Sequence, residues 1–148
     1  MENREIKINI MGSEVVDGYI CKPKKLVPNK PIMHFKTHLF LCEGERCKKA
    51  SKNENLTTHL REILKELNLH IGSNRIKISR SGCYGACRFR GVMNIYENTR
   101  ANGYIENNNI WLKSVHRYDE KKWRELFIAL SENGKLNNFE QIVMDELD

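Results

Sequence analysis

The chain has 148 residues, of which 40% are hydrophobic and 30% are charged, and its formal net charge is +6. This length fits one domain with an appended arm, and the composition is typical of a folded protein rather than a disordered one. No apolar run approaches the ~20 residues of a membrane helix, and the first ten residues lack the apolar core of a secretory signal. We therefore expect a cytoplasmic protein that does not contact membranes.

Residues 1–33 are predicted to form an N-terminal arm that precedes the main domain. Apolar and polar residues alternate over 6–10, and a second strand-like run covers 15–20, so the pattern predicts a β-hairpin-like arm. Prolines interleaved with lysines follow. Because proline cannot donate a backbone hydrogen bond, this stretch is not expected to be a helix or a central strand, and we interpret it as a basic linker. The basic residues of 22–36 could contact phosphate, but Phe35 is the one aromatic residue among them. We therefore predict no nucleic-acid partner.

The main domain is predicted to span residues 34–134 and to begin with a strand, a helix and a second strand. A short apolar run over 38–41 predicts a buried strand that ends at a cysteine, and the polar residues 43–53 predict a loop. Leucine and isoleucine then recur at helical spacing over 56–67, which predicts an amphipathic helix. Alternating residues over 75–79 predict the second strand.

The second half of the domain is predicted to add a hairpin and a helix. One strand is predicted over 92–96 and the next over 110–112. A long asparagine-rich connection over 97–109 joins them. The helix that follows is predicted to be capped by Asp119 and closed by Gly134. The acidic tail over 135–148 is expected to contain a short final helix from Phe139 onward.

This order of elements predicts an α/β fold. A helix between the first two strands favours parallel pairing, whereas the hairpin makes the last two strands antiparallel. A mixed sheet with packed helices follows.

Four of the five cysteines form two pairs, each placed where a predicted strand runs into a loop. Cys42 and Cys47 enclose four residues, and Cys83 and Cys87 enclose three. In a reducing compartment such clusters are more often metal ligands or catalytic thiols than structural disulfides. Parallel strands would bring both loops to one end of the sheet and gather four thiolates. Cys21 lies outside this pattern and is interpreted as an inert structural thiol.

Three chemistries could use the four thiols: a [2Fe–2S] cluster, a structural zinc ion, or thiol–disulfide exchange. Zinc knuckles and redox disulfides favour C-x₂-C, which neither pair has. The wider spacing favours the cluster but leaves a zinc-stabilised Cys₄ binding module open. Nearby glycines could direct backbone N–H groups at sulfur, and nearby cations could offset the cluster's charge. These residues are Gly82, Gly85, Gly91, Arg46, Lys48, Lys49, Arg80, Arg88 and Arg90.

Other chemistry-bearing residues give weaker signals. The five histidines are not needed as ligands when four cysteines are at hand. Tyr84 and Phe89 lie within or beside the second cysteine loop, where they could shield a cluster or contact a partner. Trp111 and Trp123 are predicted to be core residues. No Ser–His–Asp pattern, P-loop or dinucleotide fingerprint is present, so the chain is not expected to be an enzyme.

The segments His38-Leu39-Phe40-Leu41-Cys42 and Ser79-Arg80-Ser81-Gly82-Cys83-Tyr84-Gly85-Ala86-Cys87 resemble the thioredoxin-like [2Fe–2S] ferredoxins. The resemblance covers residues 35–133 and extends to the small [2Fe–2S] subunit of respiratory complex I, whose cysteine pairs are similarly spaced. The arm over 1–31 and the long connection over 97–109 depart from the family core.

The resemblance implies a thioredoxin-like fold with a one-electron cluster near the surface and electron transfer without substrate turnover. The implied cluster ligands are Cys42, Cys47, Cys83 and Cys87. The implied partner is an unidentified redox protein. A cluster carrier is a further alternative, and the sequence leaves open whether the chain is a monomer or a homodimer.

Overall fold

The computed structural model describes residues 5–9, 12–19, 33–51 and 55–144. Cys21 and the proline-rich linker therefore lie outside the described residues. Within the described part of the arm, Ile8 and Glu14 form an isolated antiparallel bridge, and the flanking side chains are largely exposed. The described part of the hairpin-like arm thus contains one bridge rather than two strands, since a lone ribbon that buries no apolar face is marginal in water.

A four-stranded mixed sheet forms the centre of the fold. Its strands are β1 (Thr37–Cys42), β2 (Ile76–Ser81), β3 (Met93–Glu97) and β4 (Ile110–Leu112). The strand order is β2-β1-β3-β4; β1 and β2 are parallel, whereas β3 is antiparallel to both β1 and β4. The prediction of an α/β fold with a mixed sheet and packed helices is confirmed.

Within the described residues, three α-helices accompany the sheet: α1 (Glu45–Ala50), α2 (Leu56–Glu66) and α3 (Glu120–Ser131). The apolar faces of α2 and α3 share one core cluster with alternate residues of β1, β2 and β3. Along β1, Leu39 and Leu41 are buried while His38 and Phe40 are half-buried, so the helices cover one face of the sheet. None of the helices in the described ranges is long and apolar enough to cross a membrane.

Two expectations from the sequence are wrong. The predicted loop over 43–53 contains α1, whose six residues are mostly polar and bury only Cys47, so no apolar period could reveal it. The expected final helix is absent over 139–144. Phe139 packs in the core, and Ile142 N–H donates to Trp111 O at 2.8 Å, so the tail lies extended along the edge of β4. This pairing protects an otherwise open edge strand.

The predicted N-terminal cap of α3 is confirmed, whereas the residue predicted to close its C-terminus is wrong. The Asp119 carboxylate accepts a hydrogen bond from Lys122 N at 2.8 Å, which confirms the predicted N-cap. At the other end, the left-handed residue that follows the helix is Asn133, with φ of 57°, rather than Gly134. Asparagine takes this conformation more readily than most residues do. The neighbouring glycine is the stronger sequence signal for a helix end, so the sequence pattern does not predict the role of Asn133.

The side chain of His38 is expected to make the stability of the fold depend on pH. Its Nε2 forms a hydrogen bond with Ser79 Oγ at 2.8 Å, and burial, with a smaller effect of Lys77 and Arg75, lowers the pKa of His38 to about 4. The unfolded chain binds this proton more readily, so stability is lost as pH falls from about 6.5 towards 4, by up to about 3 kcal/mol. Urea unfolding across this range is expected to show the loss, and His38→Gln is expected to flatten it. Equal pH slopes in both proteins would contradict this assignment.

Candidate metal centre

The ends of β1 and β2 bring the two cysteine pairs to one edge of the sheet. Cys42 ends β1 and stands opposite Ser81, which ends β2. Glu43 N–H donates to Ser81 O at 2.8 Å, so the two segments leave the sheet side by side. Parallel strands necessarily place their following loops at the same edge. The first loop continues into α1, which carries Cys47, and the second carries Cys83 and Cys87.

All four predicted site residues line one cavity of about 240 Å³, together with Gly44, Glu45 and Arg46. Cys42 and Cys47 are 6% and 5% exposed, whereas Cys87 is half-buried and Cys83 is exposed. The cavity therefore has an inner wall made by the first pair and a surface side made by the second pair.

Backbone donors point at two of the sulfur atoms. Gly91 N–H donates to Cys47 Sγ at 3.4 Å, and Gly85 N–H donates to Cys83 Sγ at 3.3 Å. The Sγ atoms of Cys83 and Cys87 lie 3.5 Å apart. Two of the three glycines singled out in the sequence thus supply N–H groups to sulfur, a contact that stabilises a thiolate.

The thiols have different acidities. Burial raises the pKa of Cys42, and the neighbouring Cys47 thiol adds to the effect. The Gly85 N–H, the Cys87 thiol and the charge of Arg46 lower the pKa of Cys83, while contact with Cys83 raises the pKa of Cys87. Cys83 is therefore the thiol of these three that most readily becomes the thiolate that binds metal.

The charges around the cavity are mainly positive. The two nearby carboxylates are neutralised by cations: Arg80 pairs with Glu43 at 3.2 Å and Lys49 pairs with Glu45 at 3.1 Å. Further exposed cations have no ion-pair partner in the part of the chain that the structure describes; they are Arg46, Lys48, Arg88 and Arg90. These cations would partly offset the negative charge of four thiolates.

Aromatic residues support the second cysteine loop. The Tyr84 ring packs edge-on against Trp111 with centroids 4.9 Å apart, and Lys113 Nζ lies 5.7 Å from the centre of the Phe89 ring. Trp111 is half-buried rather than fully buried, and part of its ring is covered by Tyr84 of this loop. Trp123 lies in the core as predicted, whereas the contact of Trp111 with the loop has no signal in the sequence.

The donor set fits a two-iron cluster in chemistry and number. Such a cluster takes four cysteine thiolates, two on each iron, and the cavity presents four thiols in two pairs. Over the described ranges, no group of three or more His, Cys, Asp or Glu side chains is arranged to hold a single metal ion. The fit therefore rests on the donor atoms and on the cavity that they share.

Gly44 allows the two pairs to approach each other, and its replacement is a test of the site. A Cβ atom at this position would lie 3.0 Å from Cys83 Cβ and 3.1 Å from Cys83 Cα. Gly44→Ala is therefore expected to displace the second loop and to weaken cluster retention about tenfold, as changes around metal ligands typically do. Iron per chain after desalting measures the effect. Gly82→Ala, whose Cβ would meet nothing within 4 Å, is the matched control; equal iron loss in both variants would contradict the prediction.

No family model and no curated protein matches the chain. Among solved structures, it is similar to a cysteine-to-serine variant of the thioredoxin-like [2Fe-2S] ferredoxin from Aquifex aeolicus. The identity is 14% and the TM-score 0.48, over 73% of this chain and 99% of that chain. A likeness of this size does not bear on ligands or activity, and membership of the family that the cysteine motif resembles stays a prediction.

Proposed function

We propose that this chain binds one [2Fe–2S] cluster and carries single electrons to a redox partner protein, without itself turning over a substrate. The proposed ligands are Cys42, Cys47, Cys83 and Cys87. The supporting observation is that all four thiols line one cavity although residues 48–82 separate the pairs in sequence. This convergence is what a shared cofactor requires.

When bound, the cluster supplies a reversible one-electron couple. The protein's own part is to hold the four sulfurs and to set their electrostatic surroundings. The N–H groups of Gly85 and Gly91 donate to sulfur, and Arg46 places a positive charge beside the cavity. Both contributions favour the more negative, reduced state and would raise the reduction potential.

The proposed partner is a protein that approaches the exposed side of the cavity, at Cys83. Tyr84 and Phe89, each 37% exposed, flank this side and carry the apolar area that a transient interface needs. The cations Arg88 and Arg90 beside them favour an acidic docking surface on the partner. We place this exchange in the cytoplasm, where thiols are kept reduced, and without nucleic-acid or membrane contact.

An assay of iron and acid-labile sulfide in the purified chain tests the proposal. About two irons and two sulfides per chain are expected, with visible absorption and an EPR signal that appears on reduction. A colourless protein with about one zinc per chain would replace this proposal with a zinc-stabilised module. Cluster loss to an apo-acceptor that outpaces electron exchange would replace it with a cluster carrier.

A further inference from the structure

A cavity of about 620 Å³, separate from the cysteines, lies between α2 and the edge strand β2. We call it the β2 groove. Its charged lining consists of Arg61, Lys65, Arg75 and Lys77, with His70 nearby in the same wall. No aspartate or glutamate of the described ranges lines it. Two of the cations come from the helix and two from the strand and the turn before it, so the fold alone brings them together.

The potential in the β2 groove is positive. Arg75 is 8% exposed, and burial lowers the pKa of its guanidinium. Burial and the charge of Arg75 together lower the pKa of Lys77. Glu66 follows Lys65 in α2, but its carboxylate pairs with Arg124 on α3 instead of facing the groove. The Lys77 Nζ atom lies 5.7 Å from the centre of the Phe35 ring. An anion at the edge of β2 would meet Arg61 and Lys65 from the helix and Lys77 from the strand.

The β2 groove has an apolar floor and a guanidinium group held by a backbone carbonyl. Leu64, Ile76 and Ile78 are 2–4% exposed and form the floor. Arg61 Nη2 donates to Ile78 O at 3.1 Å, along the open edge of β2. A guanidinium carries five N–H donors, so this single bond orients the group while leaving donors for a ligand.

We propose that the β2 groove binds a small organic anion that carries two or more phosphate groups. Several cations around one cavity suit a multiply charged ligand, and arginine forks match the paired oxygens of phosphate. The apolar floor suits the organic part of such a ligand, and the cavity volume is in the range of small-molecule sites. Arg75 precedes β2 whereas the cysteine cavity adjoins its far end, about 15–20 Å along the strand, so this site is distinct from the metal centre.

Calorimetric titration of the purified 148-residue chain with ADP and with inorganic pyrophosphate tests this proposal at constant ionic strength. Saturable binding of one ligand per chain is expected. The double variant Lys65→Gln/Lys77→Gln is expected to raise Kd about tenfold or more, because it removes two charges from the groove. The control Lys121→Gln/Lys135→Gln removes two exposed charges that do not line the groove and is expected to change Kd less than about twofold.

Three results would overturn the proposal. The first is no binding of either ligand by the unmodified chain at about 1 mM. The second is equal weakening in both double variants, which would indicate general charge attraction. The third is tighter binding of citrate or of an acidic peptide than of pyrophosphate, which would assign the groove to carboxylates. Near-UV circular dichroism and iron content, both expected to be unchanged, confirm that the variants are folded and keep this test independent of the metal centre.

Discussion

Replacement of Cys42 by serine is expected to lower cluster content at least about tenfold while leaving the fold intact. Cys42 ends β1 and packs with Cys47 and Val92 on the inner wall of the cavity. Its backbone is anchored independently of the thiol, because Cys42 N–H donates to Val92 O at 3.0 Å. Serine keeps the size of the side chain but replaces a soft thiolate by a hydroxyl that stays protonated at neutral pH. Iron and sulfide per chain, with visible absorption, give the measurement.

Cys21→Ser provides the matched control for the Cys42 variant, because Cys21 lies outside the four-cysteine pattern. Its visible spectrum is expected to equal that of the unmodified chain. Full iron retention in Cys42→Ser would tell against the assignment of this ligand. A bleached Cys21→Ser protein would instead mean that the fifth thiol takes part in binding.

The variant Lys36→Met is expected to lower the free energy of unfolding by about 3–5 kcal/mol. Lys36 and Glu97 are each 1% exposed, and their Nζ and Oε1 atoms lie 3.0 Å apart. Lys36 Nζ also donates to Leu130 O at 2.8 Å, so one ammonium joins the residue before β1 to β3 and to the last turn of α3. Removal of the lysine charge leaves a buried carboxylate that still accepts a hydrogen bond from Thr37 Oγ1, at 2.8 Å. Urea unfolding at pH 7 measures the loss.

Two controls separate charge burial from lost packing. The double variant Lys36→Met/Glu97→Gln removes the unpaired charge and is expected to recover a large part of the stability. Burial raises the pKa of Glu97 even with Lys36 in place, and loss of Lys36 raises it further. The folded variant therefore binds this proton more tightly than the unfolded chain does. As pH falls from 7 towards 4, the variant's loss in free energy of unfolding, relative to the unmodified protein, should shrink. A deficit that is constant with pH would indicate a packing defect.

The same ion pair changes the interpretation of the basic residues. Lys36 belongs to the run over 22–36 that, from sequence, could contact phosphate, yet it is enclosed in the core. The cations that line cavities lie elsewhere, at the cysteine cavity and in the β2 groove. Composition gives the sign of the net charge, but only packing decides which cations face solvent.

Local periodicity explains which elements could be predicted. The helical spacing over 56–67 matches α2 (Leu56–Glu66) closely, and the N-cap at Asp119 marks the start of α3. The crossover through a helix correctly implies that β1 and β2 are parallel. Helix α1 and the extended tail escape prediction because their conformations depend on a buried cysteine and on pairing with β4, not on a repeat within their own residues.

The sequence by itself determined the chemistry that this chain brings to its site: four thiols, in two pairs, each following a strand. The tertiary structure alone decided that both pairs line one cavity, that Cys83 faces solvent, and that Gly44 has little room for a side chain where it meets the second loop. It alone also assembled the β2 groove from a helix and a strand. The physical reason is that side-chain spacing is a local property, whereas distances between segments are set by strand register and by the packing of helices on the sheet.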